Sequence, residues 1–530
     1  MNPSFAAATQ PLSIAQRFRQ SCRTHASRIA LIQNGEGVTY EELFRAASSF
    51  ANHLDSRQDF RPGTHVGLNL PNSAEYIAAF YGTLLAGGIV IPVSTQNSPQ
   101  RIQQLFSLAQ VELRVSLPVS AAQSLAKQPD TVVIESTELG QTAFRFDLNE
   151  GSETLQSPDL PASDDDLAMM LFTSGSSGDP KAVMLSHGNL SANCDSICAF
   201  LPISSDERAL AVTPFSHALG NSVLQTHILS GATLVFGSEL RYATEQLAAI
   251  HEYQCTSLTA VPEVFDQLAI ALRSKEAPPS SLRYLAVAGG RLDPARSKTL
   301  QDFIAPAQFF LMYGQTEATA RLAYLPPNLL SENASTIGHA IPDVELEIRD
   351  DNQNAISTGQ TGTLYARGKN IMLGYWNDAE SNVLQDGWLN TGDLARINGN
   401  GLIEILGRRG GLVKIQSHRF HPLEVEKLLA SELSETQIVV VPFSFFGHTR
   451  LAMFARATGV VAVDQEKLRQ VCRDVLPRHM LPQRIEVLDT WPTNANGKID
   501  RSALAIEATG FDRHRQILPG TPEVSGQTHR

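Results

Sequence analysis

The sequence predicts an α/β protein with a large N-terminal region of βαβ-type parallel sheets plus a small antiparallel, barrel-like part, followed by a smaller mobile α+β C-terminal domain. Three observations support this fold class. Short apolar runs alternate with longer helical patterns between about residues 39 and 320. After residue 340 the runs are joined by Gly, Asn and Asp turns, and after Gly411 a second, shorter mixed pattern begins.

The apolar runs of the first region have the length of buried strands, and helical segments separate them. Strands that alternate with helices indicate βαβ units and therefore parallel sheets. The longest apolar stretch, Tyr76 to Val93, contains Gly87 and Gly88, and we predict a helix capped by Asn72 or Ser73 rather than a membrane span. The runs are HVGLNL (65–70), IVIPV (89–93), TVVIE (131–135), AMMLFT (168–173), ALAVTPF (209–215), TLVFG (233–237), SLTAV (257–261), LRYLAVA (282–288) and FFLMYG (309–314).

The segments VELEIRDDNQN, GTLYARG and ARINGNGLIEILGR have the turn chemistry of antiparallel hairpins. A glycine pair, Gly410 and Gly411, follows them, and glycine tolerates the large backbone rotations of a hinge. We predict an N-terminal domain over residues 1–406, a C-terminal domain over residues 407–508, and a disordered tail over residues 509–530, where the sequence is polar and lacks periodicity.

Charge and cysteine content restrict the function. Lys and Arg number 42 against 54 Asp and Glu, a net charge of −12 over 530 residues, which disfavours nucleic acid or an anionic membrane as partner. Five cysteines and the lack of an apolar leader in the first 20 residues favour a reducing cytoplasm.

The segment Thr173 to Lys181, TSGSSGDPK, lies between an apolar strand and a helical pattern that begins near Ser186. On a strand-to-helix loop, backbone N–H groups and hydroxyls can bind phosphate, and Lys181 adds positive charge. A Gly/Ser surface loop is the alternative. A Walker loop is disfavoured, because Pro180 precedes the lysine and Ala182 follows it.

The chain resembles the adenylate-forming superfamily of acyl-CoA synthetases, nonribosomal adenylation domains and luciferases. TSGSSGDPK resembles the Ser/Thr/Gly-rich signature of that family, and the family's other motifs follow in its order. The resemblance covers roughly residues 25 to 505. Those motifs are YGQTE (313–317), GWLNTGD (387–393), Gly407-Arg408 and NGKID (496–500).

The resemblance implies a site for ATP and Mg²⁺. Tyr313 would offer a ring face to adenine, and Asp393, supported by Arg408, would accept the ribose hydroxyls. Glu317 would hold Mg²⁺ at the start of the next helix. Core packing, helix capping and turn stabilisation are the ordinary alternatives for these residues. The nucleotide-binding residues so implied are Thr173, Ser174, Gly175, Ser176, Ser177, Gly178, Lys181, Tyr313, Gly314, Thr316, Asp393 and Arg408.

Lys498, Glu317 and Thr173 are the catalytic residues that the resemblance implies. Lys498 would bridge the carboxylate and the α-phosphate, where a positioned ammonium offsets developing charge; a solvated hairpin lysine is its alternative. Two departures concern the thioester step. Gly410 and Gly411 stand where relatives carry an Asp or Lys near the hinge, and Ser417 replaces a glycine beside which the pantetheine arm passes.

The segment TPFSHALG (213–220) resembles the family's acyl-pocket segment, and AVAGGRL (286–292) suggests another wall. The substrate residues are His217, Ala288, Gly289 and Gly290, with a structural role as the alternative for His217. No acidic residue lies between Thr213 and His227 to pair with a substrate ammonium. Because an unpaired buried ammonium is costly, a fatty or aryl acid is favoured over an α-amino acid.

The sequence therefore predicts an AMP-forming acid–thiol ligase that uses ATP, Mg²⁺ and CoA. A stand-alone acyl or peptidyl carrier protein is the alternative acceptor. Two further hypotheses stay open: a noncatalytic nucleotide-binding homologue, favoured by the altered hinge region, and luciferase-like oxidation of the adenylate.

Overall fold

The chain divides into two compact units, and the division falls between Gly410 and Gly411. The predicted boundary lay before Gly407, but residues Gly407 and Arg408 continue a strand of the first unit, opposite Leu394 and Asp393. The computed structural model describes residues 12–118, 131–136, 140–146, 163–174, 180–237, 240, 242–272, 278–290, 292–378, 381–411, 413–415, 418–430, 432–433, 436–445, 448–457, 464–477, 480–494 and 498–510. The predicted tail after residue 510 lies outside these ranges.

The described α-helices of the first unit are α1 Ile14–Thr24, α2 Tyr40–Asp55, α3 Ala74–Leu85, α4 Pro99–Leu108, α5 His187–Phe200, α6 Ala218–Leu229, α7 Ala243–Glu252, α8 Pro262–Leu272, α9 Pro294–Ile304 and α10 Leu330–Asn333. Its strands are β1 Ile29–Gln33, β2 Glu36–Thr39, β3 His65–Asn69, β4 Ile89–Pro92, β5 Leu113–Ser116, β6 Thr131–Ser136, β7 Gly140–Arg145, β8 Leu167–Ser174, β9 Pro180–Ser186, β10 Arg208–Leu210, β11 Thr233–Phe236, β12 Ser257–Ala260, β13 Tyr284–Val287, β14 Gln308–Tyr313, β15 Ala323–Leu325, β16 His339–Ala340, β17 Val344–Arg349, β18 Thr361–Gly368, β19 Gly374–Tyr375, β20 Leu384–Gln385, β21 Trp388–Ile397 and β22 Ile403–Arg408.

Two large sheets dominate the first unit. One has the order β16-β15-β14-β13-β12-β10-β11-β1-β2, and the other has the order β19-β9-β8-β4-β3-β5-β6-β7. The centre of the first sheet, from β14 to β1, is parallel, as the alternation of strands and helices predicts. The TVVIE segment, β6, differs, because it pairs antiparallel with both β5 and β7. The α/β fold class is confirmed.

The antiparallel part is also confirmed. A five-stranded sheet has the order β17-β18-β21-β20, with β22 paired to β21. Its Asn and Gly turns join strands that pair in antiparallel register. Among the pairs it forms, Asp393 lies opposite Arg408, so the hairpin itself brings a carboxylate beside a guanidinium.

Helix α3 illustrates why the sequence folds locally as it does. The Ser73 side chain accepts a hydrogen bond from the Tyr76 N–H group, and Gly87 follows the helix with φ +77°. The predicted cap and stop are therefore present. The helix is buried in the same apolar core as α1 and α2, where Phe18 stacks on Tyr81 with ring centroids 3.9 Å apart. In the described ranges, no helix combines the length and apolar character needed to cross a bilayer.

The second unit has its own core. Its described helices are α11 Pro422–Leu429, α12 Gln465–Val475 and α13 Arg501–Gly510, and its strands are β23 Val413–Ile415, β24 His418–Phe420, β25 Thr436–Phe445, β26 His448–Ala457 and β27 Arg484–Val487. Strands β25, β26 and β27 form one sheet, in which β26 and β27 run parallel. Helices α11 and α12 pack their apolar residues on it.

Candidate active site

The Ser/Gly-rich segment does not precede a helix, which corrects the sequence prediction. It joins β8 to β9, and these strands pair antiparallel with Thr173 opposite Lys181. Residues 180–186 extend because Val183 and Leu185 alternate into the core. Helix α5 begins only at His187, so its N-terminus cannot supply the phosphate cradle that a strand-to-helix loop would provide. Gly175, Ser176, Ser177 and Gly178, and the side chain of Ser174, lie outside the described residues.

Lys181 lies beside two residues that the sequence analysis missed. Its Nζ atom donates to Asp378 Oδ2 at 2.8 Å and lies 4.6 Å from the centre of the Tyr375 ring. The side chain remains about one-third exposed. Tyr375 arrives here because β19 pairs with β9, which places Tyr375 opposite Val183. This long-range pairing left no local signal in the sequence.

Tyr375 links Lys181 to Glu317. The Tyr375 hydroxyl donates to Glu317 Oε1 at 2.8 Å, and the Glu317 backbone carbonyl accepts from the Met372 N–H group at 2.9 Å. Burial and the neighbouring Glu317 carboxylate raise the pKa of Tyr375. A protonated tyrosine therefore orients the carboxylate predicted to hold Mg²⁺.

Glu317 and Thr316 do not open a regular helix, which corrects a second prediction. They belong to a single 3₁₀ turn, Thr316–Ala318. The turn is short because the chain reverses at Thr319, whose φ is +63°, and returns as β15. Gly314 is required at its start, since a Cβ atom there would lie 1.9 Å from the carbonyl oxygen of Ala320.

The predicted ribose site is assembled around Asp393. The Tyr313 hydroxyl donates to Asp393 Oδ2, and Arg408 Nε lies 2.9 Å from Asp393 Oδ1. Thr391, also missed by the sequence analysis, accepts from the Asp393 N–H group through its hydroxyl and from Arg408 through its carbonyl. Burial raises the pKa of Asp393 against the opposing effect of Arg408. The carboxylate is thus buried and contacted by two side chains, while Thr391 holds the Asp393 backbone and the Arg408 guanidinium.

These residues form one electrostatic cluster where the end of β14 and the following 3₁₀ turn lie beside β21 and β22 of the antiparallel sheet. Besides its contact with Tyr375, Glu317 interacts electrostatically with Asp393 and Arg408. Lys181, Tyr313, Glu317, Asp393 and Arg408, which are far apart in sequence, are therefore neighbours. Mg²⁺ in nucleotide sites is commonly held by one or two carboxylates and the phosphates. Glu317 fits the single-carboxylate form, and across the described ranges no group of three or more metal-ligating side chains was found.

The predicted acyl segment lies at the start of α6. His217 is the N-cap residue, and its side chain makes no capping hydrogen bond. Asn72 fixes the segment before it by donating to the Thr213 carbonyl at 3.0 Å and accepting from the Phe215 N–H group at 2.8 Å. Gly220 packs so closely that a Cβ atom would lie 2.1 Å from the Pro214 carbonyl oxygen.

The second predicted wall follows β13. Ala288 is buried in an apolar cluster that also contains Leu219 of α6, so the two predicted walls share one core. Gly289 adopts φ +86°, and a Cβ atom on Gly290 would lie 3.1 Å from Pro262 Cγ. Arg291 lies outside the described residues.

Lys498 belongs to the second unit. Its side chain is exposed, and its backbone forms a turn with Asn494, whose Oδ1 accepts from the Lys498 N–H group at 3.1 Å. The predicted hairpin-tip setting agrees with an isolated antiparallel bridge between Thr493 and Ile499. Ser417 lies outside the described residues.

Comparison with known proteins identifies the class. The model of the AMP-binding enzyme family matches residues 18–376, more than half of the chain. The chain therefore belongs to the AMP-binding enzymes, the adenylate-forming superfamily whose motifs it carries. The match includes Thr173, Lys181, Tyr313 and Glu317 and ends before Asp393.

Individual relatives share less than a third of their residues with this chain. Feruloyl-CoA synthase of Amycolatopsis sp is 29% identical over 479 residues, covering 89% of this chain and 94% of that protein. The long-chain-fatty-acid–CoA ligase of Escherichia coli O157:H7 is 27% identical over 544 residues, covering 94% and 95%. In structure, the chain is similar to O-succinylbenzoate coenzyme A synthetase of Bacillus subtilis, solved with ATP and magnesium ion, at a TM-score of 0.77 and 23% identity, covering 92% of this chain and 98% of that one. That likeness establishes the fold.

Proposed function

We propose that the chain activates a carboxylic acid with MgATP as an acyl-adenylate and pyrophosphate, and then transfers the acyl group to a thiol. The observation that carries this proposal is the cluster in which Tyr375 joins Lys181 to Glu317 and Asp393 joins Tyr313 to Arg408. All members of this cluster except Tyr375 were predicted from the sequence, and each of those occupies a motif position of the AMP-binding enzymes.

The two ends of the cluster would bind different parts of the nucleotide, the nucleoside at one end and the phosphates at the other. Asp393 presents a buried carboxylate to the ribose hydroxyls, and Tyr313 beside it offers the adenine a ring face. At the other end Lys181 and the hydroxyls from Thr173 onward bind the phosphates. Glu317 would hold Mg²⁺, which supplies Lewis-acid neutralisation of the phosphate charge.

Adenylation brings two anions together, the substrate carboxylate and the α-phosphate, and therefore requires a cation beside them. As the carboxylate oxygen attacks the α-phosphorus, the bond to pyrophosphate breaks and negative charge accumulates on the phosphoryl oxygens. An ammonium held there stabilises the transition state more than the ground state. The superfamily resemblance assigns this role to Lys498, and Thr173 supports the phosphate from the first unit.

The thiol then attacks the acyl carbon of the mixed anhydride and AMP leaves with one oxygen of the acid. We propose CoA as the acceptor, in line with the names of two relatives, feruloyl-CoA synthase and long-chain-fatty-acid–CoA ligase. A stand-alone acyl or peptidyl carrier protein offers the same phosphopantetheine thiol. The Gly410, Gly411 and Ser417 departures bear on this half-reaction rather than on adenylation.

The acid is proposed to be aryl or fatty in its carbon skeleton rather than an α-amino acid. Between Thr213 and His227 no carboxylate is available for an ammonium. Ala288 and Leu219 contribute to an apolar cluster beside the predicted pocket walls. Five cysteines without a disulfide fit the cytoplasm as the proposed location.

The test is exchange of labelled pyrophosphate into ATP, run with aryl, fatty and amino acids, because exchange reports adenylation without the thiol. We expect exchange with an aryl or fatty acid, and a loss on the order of 10²–10³ in Lys498→Ala, since one preorganised charge is removed. The matched control is Lys467→Ala, a second exposed lysine of the same unit.

Two outcomes would count against the proposal. Tight ATP binding without exchange for any acid would favour the noncatalytic homologue. Exchange that is unchanged in Lys498→Ala would remove that lysine from the mechanism.

A further inference from the structure

Arg321 is a buried cation without a counter-charge in the described part of the chain. The residue is only 2% exposed. Among the described residues its guanidinium makes no ion pair, and its single side-chain hydrogen bond runs from Nε to the Met312 thioether sulfur at 3.4 Å. Buried charges are normally paired, because desolvating a lone ion is costly.

The side chain that this guanidinium contacts, Met312, lies in an apolar cluster. Met312 belongs to a buried cluster built from α5, α6, β13 and β14, which includes both predicted walls of the acyl pocket. Burial lowers the pKa of Arg321 to about 9, and no acid among the described residues opposes the shift. The cluster, called here the Met312 cluster, consists of Ile197, Leu201, Leu219, Tyr284, Ala286, Ala288, Phe310 and Met312.

The backbone that carries Arg321 is held in a strained conformation. Thr319 has φ +63° and ψ −54°, and the Ala320 N–H group donates to the Ala318 carbonyl at 2.7 Å, which defines a γ-turn of the rare positive-φ form. This conformation is energetically unfavourable for a β-branched residue such as Thr319, and backbone strain of this kind is concentrated at functional sites.

Two buried amides then fix the Arg321 backbone. Its carbonyl accepts from Asn193 Nδ2 at 3.3 Å and from Asn370 Nδ2 at 2.9 Å. Asn370 in turn accepts, through its own carbonyl, from the Thr319 hydroxyl at 2.7 Å. The strained turn is thus anchored by Asn193 and Asn370, and the Arg321 side chain that follows it contacts Met312 of an apolar cluster.

We propose that the acid activated by this chain carries a second anionic group, such as another carboxylate, and that the Arg321 guanidinium binds it. This substrate class rests on the adenylation function proposed above. A guanidinium matches a carboxylate in a two-point, charge-assisted arrangement. The carbon skeleton between the two acid groups would pack on the Met312 cluster, and a plain fatty or aryl acid would leave the arginine uncompensated.

The experiment compares matched acids in wild type and Arg321→Met. Aliphatic and ring dicarboxylic acids are each paired with the monocarboxylic acid in which a methyl group replaces one carboxyl group. We expect wild type to prefer the best dicarboxylic acid on the order of 100-fold in kcat/KM of exchange, because an unpaired buried charge is penalised. In Arg321→Met that preference disappears, and Arg321→Lys retains part of it.

A second readout separates ligand recognition from a structural role. Without ligand, Arg321→Met keeps or raises the melting temperature, because it removes a lone buried charge. The matched control is Arg296→Met, since Arg296 is a largely buried arginine paired with Asp266. That control lowers the melting temperature and leaves the acid preference intact.

Three results would overturn the proposal. The first is a wild-type enzyme that uses the methyl analogues as well as the dicarboxylic acids. The second is Arg321→Met with a lowered melting temperature and unchanged selectivity, which would reveal an internal partner. If no acid supports exchange, the proposed adenylation function is wrong, and acid binding by Arg321 is then tested separately by thermal shift. The third contradicting result is that no dicarboxylic acid, added together with AMP, raises the melting temperature of the wild type.

Discussion

At the scale of single residues, nucleotide binding depends on the charge of Asp393. Asp393→Asn keeps the shape but removes the anion that Arg408 faces at 2.9 Å and that accepts from Tyr313. Charge-assisted hydrogen bonds contribute about 1.5–3 kcal/mol each. We expect the KM for ATP in pyrophosphate exchange to rise about 10- to 100-fold, with a smaller change in kcat.

A surface pair supplies the control for this change. Asp351 and Arg409 also form an ion pair, at 2.6 Å, but Asp351 is 87% exposed. Asp351→Asn is therefore expected to leave the KM for ATP unchanged, since exposed pairs contribute little. Equal effects of the two substitutions would contradict a ribose-binding role for Asp393.

At the scale of elements, the loop between β14 and β15 depends on one glycine. Gly314→Ala introduces a Cβ atom 1.9 Å from the Ala320 carbonyl oxygen, and backbone atoms cannot yield as a flexible side chain would. The loop carries both Glu317, the proposed metal ligand, and Arg321, the proposed acid-binding residue, so its displacement is expected to disturb both proposed functions together. We expect exchange activity to fall by at least about 100-fold, as misplaced catalytic groups do.

The control for the loop is Gly399→Ala, where a Cβ atom meets nothing within 4 Å. We expect normal exchange activity and a melting temperature within about 1 °C of wild type, because surface substitutions away from special geometry stay within about 0.5 kcal/mol. A fully active Gly314→Ala enzyme would show that the loop is not packed as described.

A buried histidine at the N-terminus of α5 leads us to predict that the free energy of unfolding depends on pH. His187 opens this helix, is buried, and has no partner for Nδ1 among the described residues. Burial lowers its pKa to about 4 despite the nearby Asp166. The unfolded chain binds a proton near pH 6.5 and the folded chain does not, so stability is lost as the pH falls from about 6.5 towards 4.

The expected size of this effect is about 3 kcal/mol at full development, because the pKa of about 4 in the folded chain lies well below that of an exposed histidine. His187→Gln is expected to lose this part of the pH dependence in denaturant unfolding of the first unit. The exposed His251→Gln is the control. Parallel pH profiles for wild type and His187→Gln would contradict a neutral buried histidine.

At the scale of the whole molecule, periodicity and turn residues were sufficient to predict the fold class. Strands such as β13 and β14 are continuous apolar runs, and the Asn-Gly turn between β21 and β22 marks a hairpin. The β8–β9 hairpin was not predicted, because KAVMLS is a short apolar run without alternation and leads directly into helix α5.

The candidate site was predictable where motifs exist and not where pairing is long-range. Tyr313, Glu317, Asp393 and Arg408 stand in motifs, and the structure places them together. Tyr375 and Asp378 reach Lys181 only because β19 adds to the edge of β9. Arg321 showed no sequence signal at all, since its proposed role depends on being buried with no acidic partner in the part of the chain that the structure describes.

The central claim is that the carboxylate attacks the α-phosphate of ATP, and oxygen tracing tests it most directly. The acid that supports exchange is labelled with ¹⁸O in its carboxyl group and turned over with ATP and CoA, and the nucleotide products are weighed by mass spectrometry. The account predicts AMP that carries one ¹⁸O atom from the acid, together with unlabelled pyrophosphate. Unlabelled AMP, or ADP and labelled phosphate, would contradict it.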